Sequence, residues 1–326
     1  MSAAVIQVQH LSKTFRHGFF RKRVDALRGV SFEVGQGSIF GFLGPNGAGK
    51  TTGIKILTGL ITATDGQAWV LGKRVPAPEA RRRLGFLPEN PYVYPYLTPL
   101  EFVTMCGRLS GMGAQALRKR TGQVLERVGI AYAADRPVQR LSKGMLQRTC
   151  LAAALVHEPD LLILDEPMSG LDPVGRKEVR DIILEERAQG RTVFFSSHIL
   201  SDVESMCDQV TILRKGQVVV EGKIDALLHR EGLFTDILLA GEPEALQQLH
   251  GRLEGKHGVL ARPPEAVLRV EAKGDEAVAS VLSAALEGKV RVVEVAPRRE
   301  TLEELFVKRA FSEESETTQA ETAASS

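Results

Sequence analysis

Residues Gly44, Pro45, Asn46, Gly47, Ala48, Gly49, Lys50 and Thr51 satisfy the pattern G-x-x-x-x-G-K-[ST] at every defined position. That string restricts the chain to a strand, a tight loop and a helix that together hold an anion. The apolar run Ile39 to Leu43 precedes it, and a helix-like stretch from Lys50 to Leu57 follows. Glycines 44, 47 and 49 let the backbone wrap closely, so that successive N–H groups and the positive end of the helix face phosphate oxygens. Lys50 is expected to reach the β and γ phosphates of a nucleotide, and Thr51 to ligate Mg²⁺. Thr52 completes the expected cradle.

A second segment supplies acids. Leu161, Leu162, Ile163 and Leu164 form an apolar run that ends in Asp165 and Glu166, with Pro159-Asp160 before it and Pro167 after it. Such a run reads as a strand buried on both faces of a parallel sheet. The C-terminal edge of that kind of sheet is where ligands bind. Asp165 is therefore the metal-side candidate, and Glu166 beside it the general base for an attacking water. Two acids closing a strand could also form an ordinary turn, but a phosphate loop in the same chain makes hydrolysis of ATP the expected chemistry.

With these motifs the chain resembles the ATP-binding subunit of an ABC transporter over roughly residues 5–225. The resemblance implies a P-loop NTPase fold of the ABC ATPase type, α/β, with a β-rich N-terminal part, a RecA-like core and a helical subdomain. Leu141-Ser142-Lys143-Gly144-Met145 stands where that family has its Leu-Ser-Gly-Gly-Gln signature, with Lys143 and Met145 as departures. By resemblance, Ser142 and Gly144 close over the nucleotide held by a twin subunit, at the start of a helix running through Gln147, Arg148 and Ala152. Ser169-Gly170-Leu171-Asp172 resembles the loop that links the two sites. His198, after Phe194-Phe-Ser-Ser, takes the place of the histidine that contacts the γ-phosphate and orients water. Glu89 stands where the family carries a metal-contacting glutamine; a carboxylate can also ligate Mg²⁺. Phe15 occupies the place of the aromatic that stacks on adenine, with Phe19 and Phe20 as competitors.

The resemblance also implies partners: a separate transmembrane permease subunit, and a second copy of this chain or a homologous ATP-binding subunit. The helix-rich insertion from about Pro91 to Leu141 is the expected helical subdomain. Its candidate contact surface runs from Glu89 to Met105 and includes Tyr92, Tyr94 and Tyr96, each with an apolar ring and a polar tip. The basic segment Arg16, Arg21, Lys22 and Arg23 reads as a hairpin tip, solvated by default.

Lysine and arginine number 42 against 40 acids, a net charge of +2, so nucleic acid is not an expected partner. Cys106, Cys150 and Cys207 are too far apart in sequence for a metal pair or a disulfide framework. No stretch approaches the roughly 18 apolar residues of a membrane span. The expected location is cytoplasmic, peripheral on the cytoplasmic face of the cell membrane. The signature and a closing helix, Thr301 to Phe306, resemble exporter-type subunits.

Past about Asp225 the pattern changes. Apolar runs at Ile237–Leu239, Val259–Leu260, Leu268–Val270 and Val290–Val295 alternate with helical stretches at Glu244–Leu253 and Glu276–Leu286. This β-α-β-β-α-β order predicts a ferredoxin-like accessory domain over residues 226–311 with a regulatory or dimer-supporting role. Residues 312–326 are acidic and lack large apolar side chains, which predicts a disordered tail. The rival readings are a soluble ABC ATPase that remodels DNA or ribosomes, and a small-molecule kinase. The first lacks its usual long coiled coil or second phosphate loop, and the second leaves Leu141–Met145 and His198 unexplained.

Overall fold

The computed structural model describes residues 4–17, 22–228, 234–253, 257–262, 265–298 and 301–307. The described chain divides into two units, one of them Asp225–Leu305. Phe19, Phe20, Arg21 and the acidic segment 312–326 lie outside the described residues.

The first unit opens with two long strands, β1 (Ala4–His17) and β2 (Lys22–Gly35), joined antiparallel. They are followed by β3 (Ile39–Leu43) and α1 (Lys50–Leu57). β4 (Asp65–Val70) and the short β5 (Lys73–Arg74) complete a four-stranded sheet of order β2-β1-β4-β5. Then come β6 (Leu84–Leu87), and the helices α2 (Pro99–Leu109), α3 (Ala114–Arg127) and α4 (Lys143–Leu155). α2 begins in a capping box in which Thr98 and Glu101 bond each other's backbone N–H groups. The unit continues through β7 (Leu161–Asp165), α5 (Pro173–Ala188), β8 (Thr192–Ser197), α6 (Leu200–Glu204), β9 (Gln209–Arg214) and β10 (Gln217–Lys223). The short α7 (Ile224–Leu228) crosses the division between the units.

The second sheet has the order β10-β9-β3-β8-β7-β6. Its strands β9, β3, β8, β7 and β6 are parallel, and only the edge pair β9–β10 is antiparallel. Every residue of β3, β7 and β8 is buried. A strand apolar on both faces needs cover on both faces. Phe32 of β2 provides part of it, its ring stacked 5.5 Å from Phe40 and 5.9 Å from Phe194, which are themselves 5.5 Å apart. Such ring contacts add roughly 0.5–1.5 kcal/mol each beyond the apolar area they bury.

Glu186 of α5 is fully buried and forms ion pairs with Arg127 of α3 and Arg191. Without Glu186, Arg191 loses this partner while Arg127 keeps Glu185, so the cost lies at the low end of the range of about 3–5 kcal/mol for a broken buried pair. Glu186→Ala is therefore expected to lower the urea midpoint of the first unit by an amount corresponding to about 3 kcal/mol. An unchanged midpoint would show that the two guanidinium groups find water instead.

The second unit contains β11 (Phe234–Gly241), α8 (Pro243–Arg252), β12 (His257–Arg262), β13 (Glu265–Lys273), α9 (Asp275–Glu287) and β14 (Arg291–Arg298). Its sheet order is β12-β13-β11-β14, antiparallel throughout, which is the ferredoxin-like arrangement. Ile237, Leu239, Leu246, Leu249, Leu268 and Val281 build its own apolar core.

Candidate nucleotide site

Four adjacent parallel strands end level with one another. Leu43 of β3 pairs with Ser197 of β8, Asp165 of β7 with Ser196 of β8, and Leu87 of β6 with Leu164 of β7. Neighbouring strands lie about 4.8 Å apart. The segments leaving these ends, Gly44 to Lys50, Asp165-Glu166, His198 and Glu89, therefore converge on one edge of the sheet.

The phosphate loop leaves β3 and turns directly into α1. Gly44 and Gly49 have φ of 149° and 109°. A Cβ on Gly44 would stand 2.4 Å from the Leu213 carbonyl oxygen, and one on Gly49 2.4 Å from that of Ala26. Neither position has room for a side chain. Pro45, Asn46 and Gly47 are exposed at the crest, and Ala48 is buried beneath it. No side chain caps α1, and its first turn carries no acid. Its N–H groups remain available to an anion. Thr51 and Thr52 are half-buried at its start.

Lys50 folds back over this loop, its ammonium donating to the Gly44 carbonyl at 2.6 Å. It also meets Glu166 Oε1 at 3.2 Å, with the two side chains only 6% and 8% exposed. The other oxygen of Glu166 lies 2.8 Å from His198 Nδ1. Three of the predicted site residues thus form one continuous chain, Lys50–Glu166–His198. Glu166 has a φ of 51°, a left-handed conformation that costs a non-glycine residue of order 1–3 kcal/mol and persists only where its surroundings hold it. One holding contact is the hydroxyl of Ser196, which accepts the Glu166 N–H at 2.9 Å and donates to Asp165 Oδ1 at 2.6 Å.

Burial pushes the Asp165 carboxyl above the usual carboxylate range, and nearby Glu89 and Glu166 push it the same way, while hydrogen bonds from Ser196 and Thr51 hold it down. Thr51 bonds Asp165, and the charge of Glu89 is felt at the same carboxyl. Among the described residues no cluster of three His, Cys, Asp or Glu side chains could hold a metal unaided.

Phe15 lies on β1 in a shallow surface depression with Thr14, Arg16, Arg23 and Thr64. The Lys13 ammonium sits 5.1 Å from its ring centroid, so the ring already serves as a cation–π face. Ser142 caps α4 by accepting the Met145 N–H at 3.3 Å, and Gly144 follows in the first turn. Tyr92, Tyr94 and Tyr96 are 83%, 64% and 81% exposed.

Two functional residues escape a reading of the sequence by motif. Ser196 holds both acids from the neighbouring strand, and the signal for it is its position two residues before His198. Gln147, nearly fully buried on α4, donates its side-chain amide to the Pro167 carbonyl at 3.1 Å. Nothing in its sequence neighbourhood marks that contact.

A family model described as ABC transporter matches residues 27–169. The chain is 39% identical over 311 residues to an uncharacterized ABC transporter ATP-binding protein of Synechocystis sp., covering 94% of this chain and 85% of that one. It is 36% identical over 250 residues to the Nod factor export ATP-binding protein I of Burkholderia orbicola, covering 76% of this chain and 80% of that one. Among solved structures, one described as an ATP-binding subunit of an ABC transporter aligns at 30% identity with a TM-score of 0.61, covering 68% of this chain and 91% of that chain.

Proposed function

The chain belongs to the ABC transporter family as an ATP-binding and ATP-hydrolysing subunit, and on that footing we propose that it works as a head-to-tail dimer, driving a separate membrane-spanning exporter subunit. The observation that carries this reading is the chain Lys50–Glu166–His198 beside the phosphate loop, its lysine and glutamate buried and its histidine facing outward.

Gly44 to Thr52 wrap the phosphates of ATP, and Lys50 exchanges its bond to Glu166 for the β and γ phosphates. That exchange releases the Glu166 carboxylate. It then takes the proton of a water whose oxygen attacks the γ phosphorus as ADP leaves, a role for a positioned base worth about 10²–10⁴ in rate. His198 holds that water and the γ-phosphate in line. Phe15 offers its ring to adenine. Thr51, Asp165 and Glu89, all oxygen donors, would hold Mg²⁺, which would supply neutralisation of phosphate charge. Ser142 and Gly144 of the opposing subunit close the site, the exposed end of α4 facing the γ-phosphate. A symmetric pair buries two nucleotides in this way.

No helix among the described residues is long and apolar enough to cross a membrane, so transport needs another chain. Tyr92, Tyr94 and Tyr96 give that chain an aromatic surface beside Glu89, and Tyr92 and Tyr94 lie edge to face at 6.3 Å. Aromatic side chains of this kind are enriched where proteins meet. The location is then peripheral, on the cytoplasmic face of the membrane. The Burkholderia relative is a Nod factor export protein, which supports export as the direction.

A tagged Glu166→Gln chain, recovered from detergent-solubilised membranes with ATP present and analysed by mass spectrometry, tests the partner. A co-purifying protein with several membrane spans is the expected result. Recovery of ribosomes, DNA or soluble factors alone would move the assignment to a remodelling ATPase.

A further inference from the structure

The helix that begins at Ser142 is stitched to the segment that follows Glu166. Gln147 donates to the carbonyl of Pro167, the residue next to Glu166, at 3.1 Å. One turn earlier on the same face, the Lys143 side chain lies across Gly170, its ammonium 2.6 Å from where a Cβ on that glycine would stand. Between them, a Cβ on Gly144 would stand 3.4 Å from Leu171 Cδ2. Residues 143 and 147 are four apart, so they present to one side of α4. One hydrogen bond and two close approaches therefore join the start of α4 to 167–171.

Glu166 needs such a grip, because its left-handed backbone is unfavourable unless its neighbours fix it. Ser196 holds it from the preceding peptide, and Gln147 holds the chain just past it. We propose that Gln147 is a positioning residue for Glu166, and that through it the Ser142–Gly144 segment, which serves the opposing subunit's ATP, sets the base of its own chain. The inference rests on the dimer reading above. It makes the two sites cooperative: ATP closing on one signature segment aligns the glutamate that hydrolyses the other ATP.

The test uses the purified full-length chain and measures ATP affinity, ATP-driven dimerisation, kcat, KM and the Hill coefficient. Gln147→Met keeps the side-chain length and removes the donor. It is expected to lose about 10-fold or more in kcat, since a small misplacement of a reacting group carries that penalty. KM and dimerisation should stay at wild-type values, with the Hill coefficient falling toward one. Gln147→Glu can donate only when protonated, so its activity relative to wild type should rise as the pH is lowered. Lys143→Ser removes an exposed side chain from Gly170 without opening the core, and is expected to weaken cooperativity at unchanged ATP affinity.

Wild-type kcat and cooperativity in both Gln147→Met and Lys143→Ser would overturn the proposal. So would loss of ATP affinity together with kcat in Gln147→Met, which would mark Gln147 as a general support of the fold. Absence of ATP hydrolysis in the wild type would sink the functional reading, and this one with it. Normal wild-type turnover beside unaffected variants would sink this one alone.

Discussion

Glu166→Gln is expected to bind ATP as well as the wild type, to accumulate as an ATP-bound dimer, and to lose about 10²–10⁴ in turnover. The substitution preserves shape, because the amide still has one oxygen to accept from Lys50 or His198. What it removes is the ability to take a proton from water. The glutamate is suited to that task by its surroundings: it is nearly buried, and its two oxygens face Lys50 at 3.2 Å and His198 at 2.8 Å. When phosphate takes the lysine, one oxygen is left without its cation at the place where water must give up its proton. Removing the charge also relieves repulsion between this carboxylate and an incoming triphosphate. Closure should therefore be favoured while chemistry is blocked. Phosphate release measured beside gel filtration in ATP separates the two effects. Wild-type turnover in the variant would take Glu166 out of the mechanism.

The parts of this site that were legible in the sequence are those where the chemistry tolerates few residue types. Gly44 and Gly49 are forced by positive φ and by carbonyl oxygens 2.4 Å from any added Cβ. Asp165 and Glu166 end an apolar strand, so their position on the sheet edge followed from burial alone. The contacts that hold these residues were not legible. Ser196 and Gln147 are ordinary polar residues whose importance comes from a neighbour 31 and 20 residues away, respectively. The ion pair between Lys50 and Glu166 is hidden for a related reason: the two residues lie in separate motifs, and nothing in either motif points to the other.

The fold divides in the same way. In β1 the apolar residues Val5, Ile6 and Val8 are clustered at the start, yet the strand continues to His17. Its second half, Ser12, Lys13 and Thr14, is polar and is held by partners: the Thr14 hydroxyl donates to Asp25 at 2.7 Å, and Lys13 donates to the Thr62 carbonyl at 2.7 Å. Strand propensity there is a product of tertiary context. In the second unit the β-α-β-β-α-β order was readable because each element carries its own period. The boundaries shifted by a few residues: β14 begins at Arg291 and runs to Arg298 through Pro297, which an edge strand tolerates.

Lys50→Ala should weaken ATP binding by about 10- to 100-fold, the equivalent of one charge-assisted hydrogen bond of roughly 1.5–3 kcal/mol. The ammonium is held by the Gly44 carbonyl at 2.6 Å, so its place over the loop is fixed before nucleotide arrives. Little conformational entropy is then lost on binding, which is why the loss should sit near the upper end of that range. The variant also leaves the Glu166 carboxylate buried with His198 as its remaining ion-pair partner among the described residues. A carboxylate placed near the γ-phosphate without its cation repels that phosphate, so ATP should lose more affinity than ADP. Lys50→Ala combined with Glu166→Gln removes this repulsion and should recover part of the ATP affinity, while Lys50→Ala alone keeps the full loss. Titration of a fluorescent ATP analogue and its ADP counterpart against the four proteins measures each term. Equal losses for the two nucleotides, with no recovery in the double variant, would mean that Lys50 contacts only the β-phosphate and that Glu166 stands clear of the γ position. Unchanged affinity in Lys50→Ala would mean that the triphosphate does not lie in this loop at all.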